Sequence, residues 1–250
     1  SLKAGGDLGS SCRGLSDLQS RVLEAFRDVD DTWLTGGAAL AAFHSSQRRS
    51  NDLDLFTTRG DRLEELSRRL MHWCTANGVS YEVEQEYPGF RRYRVSTDDE
   101  QTLVDLVHEL AEQVVPVAEK PMEDGIRHDP LRELRANKLA ALLGRAETKD
   151  LVDLYVLQGL GWEPLGGLED ASRKDGGLDE ATLAWVLSDL RIDLEGLMLE
   201  EPLSAEEIEA FRELYRRECS KTRIDYVELD TAMQFDKALV EYLATRRARR

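Results

Sequence analysis

The chain changes character at Pro121. Ahead of it, short β-leaning runs alternate with amphipathic helical stretches. After it, every periodic stretch has helical spacing. A chain built this way must cover a sheet with helices first and then add a helical extension, because a sheet face and a helix stripe each bury apolar surface only against another element. Residues 15–26 carry Leu18, Val22, Leu23 and Phe26 on one helical face. Trp33-Leu34-Thr35 is a short strand ending in Gly36-Gly37, and residues 38–43 are rich in the helix formers Ala and Leu. Residues 48–51 form a polar turn, and residues 53–57 a short strand. Residues 61–77 read as a long amphipathic helix, with Gly78 at the capping position. Residues 81–86, 90–96 and 102–107 are strand-like, with turns at Pro88-Gly89 and Asp98-Asp99. The expected order is β-α-β-α-β-β-β, a mixed sheet of the α+β class.

Beyond Pro121, helices are expected over 131–143, 149–159, 179–190, 204–219 and from Asp230 to the end. The fourth opens on the capping box formed by Ser204 and Glu207. The Gly-rich stretch 159–177 reads as a loop. The domains expected are a core at 15–120 and a C-terminal helical domain at 121–250. No window offers the roughly 20 apolar residues of a membrane span, and the polar start lacks the apolar middle of a signal peptide. The cytoplasm is the expected location. Three scattered cysteines and four histidines without ligand spacing give neither a disulfide framework nor a zinc site. The net charge of −16 argues against a protein that coats nucleic acid through general attraction, but leaves room for a local basic groove.

Asp52 and Asp54 are two apart on an expected strand, so both carboxylates point to one side while Leu53 and Leu55 point to the core. Adjacent carboxylates repel unless a cation sits between them, and magnesium suits hard oxygen ligands and phosphate. Upstream, Gly36-Gly37 lets backbone approach a phosphate, and the helix that follows offers free N–H groups. The plainer reading is a tight turn into a helix. Asp105 lies between Val104 and Leu106, where a charge is costly unless metal-bound or paired in a buried salt bridge. These are the parts of a two-metal phosphoryl-transfer site, with metals on Asp52, Asp54 and Asp105. Arg49 is placed to contact a phosphate and Ser50 to hydrogen-bond the turn. His44 and Gln47 read as structural.

The run from Leu34 to Thr57, LTGGAALAAFHSSQRRSNDLDLFT, resembles the first signature of the AbiEii/AbiGii toxin nucleotidyltransferases, within the DNA polymerase β-like nucleotidyltransferase superfamily. Gly36, Gly37, Arg48 or Arg49, Ser50, Asp52, Asp54 and Phe56 carry the match. The run from Ala136 to Leu157, ANKLAALLGRAETKDLVDLYVL, is similar to the family's downstream motif. The resemblance covers about residues 15–160. It implies a nucleotidyltransferase-fold sheet and nucleotide transfer from an NTP, alongside the two magnesium ions expected from the acids. RNA acceptors, notably tRNA ends, are known for some members of the family, and the resemblance implies a toxin with a cognate antitoxin or a role in phage defence. Lys138 would contact the triphosphate, and Asp150 or Asp153 would organise that lysine or the base; Arg145 stands alongside them. On the residues alone, Lys149 and Asp153 are spaced to pair on a helix surface, and Lys138 to lie along it with its amine in water. The −16 charge keeps a protein or small-molecule hydroxyl open as the acceptor, and a non-catalytic nucleotide-binding module is the remaining alternative.

Overall fold

A computed structural model describes residues 14–45, 48–163, 165–197 and 199–221. Helix α1 (Asp17–Val22) starts at Ser16, whose side chain accepts from the Gln19 backbone N–H while Gln19 reaches back to the Ser16 N–H. A tighter 3₁₀ turn, Leu23–Phe26, continues it. Strand β1 (Trp33–Thr35) runs straight into α2 (Gly36–Ala39), which widens into a π-helical turn over Leu40–His44. Strand β2 (Asp52–Thr57) follows, then α3 (Arg62–Asn77), closed by Gly78 in the left-handed region as its position suggested. Strands β3 (Ser80–Tyr87) and β4 (Phe90–Ser96) form a hairpin through Pro88-Gly89, and Gly89 takes the positive φ that the third position of a type II turn needs. Strand β5 (Gln101–His108) completes a five-stranded sheet of order β1-β2-β5-β4-β3. The β2–β5 pair is parallel and the other pairs are antiparallel.

One face of the sheet is apolar. Leu53, Leu55, Val104, Leu106, Tyr93 and Val95 are buried there, and α3 packs on it with Leu63, Leu66 and Leu70 also buried. The opposite face carries the acids.

Two elements were not legible in advance. A short hairpin, β6 (Met122–Glu123) and β7 (Ile126–Arg127), follows Pro121 and leads to a bridge between His128 and Leu34 on the outer side of β1. Helix α6 (Leu168–Lys174) stands inside the stretch expected to be loop. Two-residue strands and a seven-residue helix are too short for a period to show, and the glycines around α6 mask it. Helices α4 (Leu131–Arg145), α5 (Thr148–Gly159), α7 (Glu180–Asp189) and α8 (Ala205–Lys221) match the expected helical half. The helix expected from Asp230 lies outside the described residues. A continuous apolar cluster runs from Leu18 to Cys219, so residues on both sides of position 120 share one core. Among the described residues no helix is long and apolar enough to cross a membrane.

Candidate active site

Strand register assembles the acids. Thr35, Asp54, Asp105, Arg92 and Gln85 are aligned partners across all five strands. Asp52 stands one pleat along β2 from Asp54, opposite Leu103. The parallel pairing of β2 with β5 therefore brings Asp105 beside Asp52 and Asp54, from which it is some fifty residues away in the chain. The Asp54 carboxylate lies against the Cα of Gly36, where any side chain would collide with it. Gly36 also has φ 67°, a conformation costly for residues with a Cβ. A glycine is thus required at position 36 on both counts.

Each outer acid has a protein partner. Ser50 Oγ donates to Asp52 Oδ1 at 2.6 Å. Arg92 grips Asp105 through two parallel bonds, Nε to Oδ1 at 2.7 Å and Nη2 to Oδ2 at 2.6 Å. The salt-bridge alternative for Asp105 is therefore real in this geometry. Burial, then the charges of Asp52 and Asp105, push Asp54 up to about 7, against the pull of Lys138 and Arg145. Among the described residues no group of three or more His, Cys, Asp or Glu side chains is gathered closely enough to hold a metal ion. The chemistry of the donors, hard carboxylate oxygens on Asp52 and Asp54, suits magnesium, an ion that keeps waters and takes phosphate oxygens. Asp105 would have to give up part of its contact with Arg92 to join them.

The downstream motif forms a buried ionic network beside the glycine turn. Lys138 on α4 reaches Asp153 Oδ2 at 2.6 Å and Asp150 Oδ1 at 3.2 Å, both on α5. Arg145 closes on Asp150 with two bonds of 2.8 Å. Arg48 Nε donates to Asp153 Oδ1 at 2.8 Å. Burial alone would lower Lys138, but Asp153 and Asp150 outweigh it and raise it to about 12. Lys138 is a buried lysine, not one lying along a surface. Lys149 pairs with Glu147 at 2.9 Å, so the surface pair with Asp153 does not form.

The arginine doublet divides differently from expectation. Arg49 turns outward onto Glu200, both side chains being well exposed. It is Arg48 that is buried, with its guanidinium near Gly37 and the Ser50 hydroxyl against that same glycine. Two further residues escaped the sequence reading. The buried Gln19 side chain donates to the Ser50 carbonyl at 2.9 Å and to Thr102 at 3.1 Å, which fixes the turn before Asp52. Asp129 accepts from Thr35 Oγ1 at 2.5 Å, just ahead of Gly36, and pairs with the buried Lys120 at 2.5 Å. No spacing rule points to either, because the contacts that tie them to the site, Gln19 to Ser50 and Asp129 to Thr35, span 31 and 94 residues. Arg92 could have been found, since it lies on a β-run with the period of two that aims it at the acid face.

The family model described as nucleotidyl transferase AbiEii toxin, type IV TA system, matches residues 20–241. The chain belongs to the AbiEii family. It is a nucleotidyltransferase of the toxin class, and the resemblance seen in the two motifs extends over most of the sequence. Among solved structures, JHP933 from Helicobacter pylori is 22% identical with a TM-score of 0.55, covering 83% of this chain and 96% of its own. Another H. pylori structure, solved as a candidate nucleotidyltransferase, is 21% identical with a TM-score of 0.52 over the same shares. These two likenesses bear on the fold. Among curated proteins, none matches the chain. Within the AbiEii fold, the acid row and the helical network are the two halves of the motif pattern brought into one place.

Proposed function

We propose that this AbiEii-family enzyme moves a nucleotidyl group from an NTP to a hydroxyl of an RNA end, as the toxin of a toxin–antitoxin pair in the cytoplasm. The observation that carries the reading is the alignment of Asp54 with Asp105 on parallel strands, with Asp52 one pleat away and Gly36 beneath Asp54. Asp52, Asp54 and Asp105 would hold magnesium, which supplies activation of the acceptor hydroxyl and charge neutralisation on the triphosphate. Gly36 and Gly37 leave backbone open to phosphate. Ser50 orients Asp52. Lys138, Arg145 and Arg48 gather three cations beside the glycine turn, where, although Asp150, Asp153 and Glu147 pair with them, an anion would find donors to share. In the reaction, the acceptor oxygen bonds to the α-phosphorus, the bond to the bridging oxygen breaks, and pyrophosphate departs. A cognate antitoxin is the expected protein partner.

The test is incubation with each labelled NTP, magnesium and total RNA. Label in RNA is the expected result. Label confined to protein or a small molecule would transfer the reading to another acceptor, an outcome the net charge of −16 makes worth measuring. NTP binding without any transfer would leave only a binding module.

A further inference from the structure

The acid-bearing face does not end at Asp105. Across β4 and β3 it continues as two more aligned rows. One holds Phe56, Val107, Phe90 and Tyr87. The other holds Asp52, Leu103, Arg94 and Glu82. Tyr87 is 61% exposed, and Phe90, Arg92 and Arg94 are partly exposed. Tyr87 and Phe90 stack across the hairpin, with ring centroids 6.4 Å apart and planes 23° apart. The Arg92 guanidinium stands 5.7 Å from the Phe90 ring centre.

Position relative to the acids gives this patch a meaning. The glycine turn and the Lys138 network lie on the β1–β2 flank, where the triphosphate would sit. A second substrate must reach the same acids from the other flank, which is β4 and β3. Partly exposed aromatic rings interleaved with arginines on a sheet face suit unpaired bases and the phosphates between them. We infer that Tyr87, Phe90, Arg92 and Arg94 form the platform on which the single-stranded end of the acceptor RNA lies. This rests on the reading of the protein as an RNA-directed nucleotidyltransferase. The rings stack bases. Arg94, shared with Glu84, and Arg92, shared with Asp105, exchange part of a carboxylate contact for phosphate. Because only two arginines are involved, affinity comes mainly from stacking, and the salt dependence is shallow, with a log–log slope of about −1.4 for two phosphates on a single strand.

The experiment uses the full chain and a fluorescein-labelled single-stranded RNA oligonucleotide with a free 3′ hydroxyl, read by anisotropy. Tyr87→Ala tests an exposed ring whose loss leaves the core untouched, and Phe90→Leu keeps the site apolar while removing the π-face. Each is expected to weaken RNA binding by roughly 5- to 100-fold, the range of one base–aromatic stack. The KM for RNA rises in the transfer assay while the KM for NTP stays at the wild-type value. Duplex RNA of the same sequence competes poorly. Wild-type RNA labelling with unchanged RNA binding in both variants would overturn the platform and leave the enzyme reading standing. Equal competition by duplex would overturn the stacking. Label appearing in protein and never in RNA would remove the acceptor reading and the platform together.

Discussion

Five aspartates of this protein occupy two opposite electrostatic settings a short distance apart. On α5, Asp150 and Asp153 are fully buried and surrounded by Lys138, Arg145 and Arg48. Burial works against the charge of Asp150, but Arg145 and then Lys138 hold it below the usual carboxylate range. On the strands, Asp52, Asp54 and Asp105 face one another, and Asp54 is pushed up to about 7. The helical cluster is satisfied by the protein itself. The strand cluster leaves Asp54 with a burial penalty, and with the charges of Asp52 and Asp105 beside it, that Lys138 and Arg145 only partly offset. On the proposed function, that contrast sets a positioning network apart from the reacting centre, since strongly perturbed groups accumulate where chemistry is done.

The largest effect should come from removing the repelled charge. Asp54→Asn is expected to cut nucleotide transfer by roughly a thousandfold or more, because several kcal/mol of transition-state stabilisation depend on the metal site. It should not lower the thermal midpoint, since the charge removed is unfavourable where it stands. Magnesium should raise the midpoint of the wild type, by up to about 2.7 kcal/mol of stabilisation at a hundredfold excess over its Kd, and do much less for the variant. Normal transfer by Asp54→Asn, or an equal magnesium shift in both proteins, would sink the assignment.

The opposite behaviour is expected on the helices. Lys138→Ala removes the cation shared by two buried carboxylates, leaving Asp150 with Arg145 and Asp153 with Arg48. It should cost stability in chemical denaturation, by less than the roughly 3–5 kcal/mol of a fully orphaned buried charge. Where the variant still folds, its KM for NTP should rise more than its KM for RNA. An unaltered KM for NTP would reduce Lys138 to scaffolding.

Gly36→Ala falls between the two regions. The left-handed conformation costs a residue with a Cβ about 1–2 kcal/mol, and the new methyl must displace the Asp54 carboxylate. Transfer should therefore fall well beyond what the stability loss explains. A variant that loses stability and activity in proportion would show that Gly36 serves only the turn.

The same contrast explains what the sequence could reveal. Half of the acid face was legible because strand alternation is a local rule that puts Asp52 and Asp54 on one side, whereas the place of Asp105 beside them depends on the parallel β2–β5 pairing, which no local rule gives. Asp105 could be singled out because a charge in an apolar run stands out. The helical network was legible only through the family resemblance, since Lys138 and Arg48 look like ordinary surface charges in a linear reading. Gln19 and Asp129 were invisible, because their importance lies in contacts 31 and 94 residues away. The short hairpin after Pro121 and helix α6 were lost for lack of length.

The smallest effect should distinguish the two neighbouring arginines. Arg49 and Glu200 are both substantially exposed, and such pairs contribute at most about 1 kcal/mol. Arg49→Ala should therefore shift the thermal midpoint little and leave the KM for NTP unchanged. Arg48→Ala removes a buried cation from Asp153 and from the neighbourhood of Gly37, and should change both. If Arg49→Ala instead raised the KM for NTP several-fold, its guanidinium would have to leave Glu200 and swing to the triphosphate when the nucleotide binds. The boundary between the satisfied and the reacting regions would then be drawn by substrate rather than by the fold, and Arg48 alone would remain as the fixed link between the glycine turn and α5.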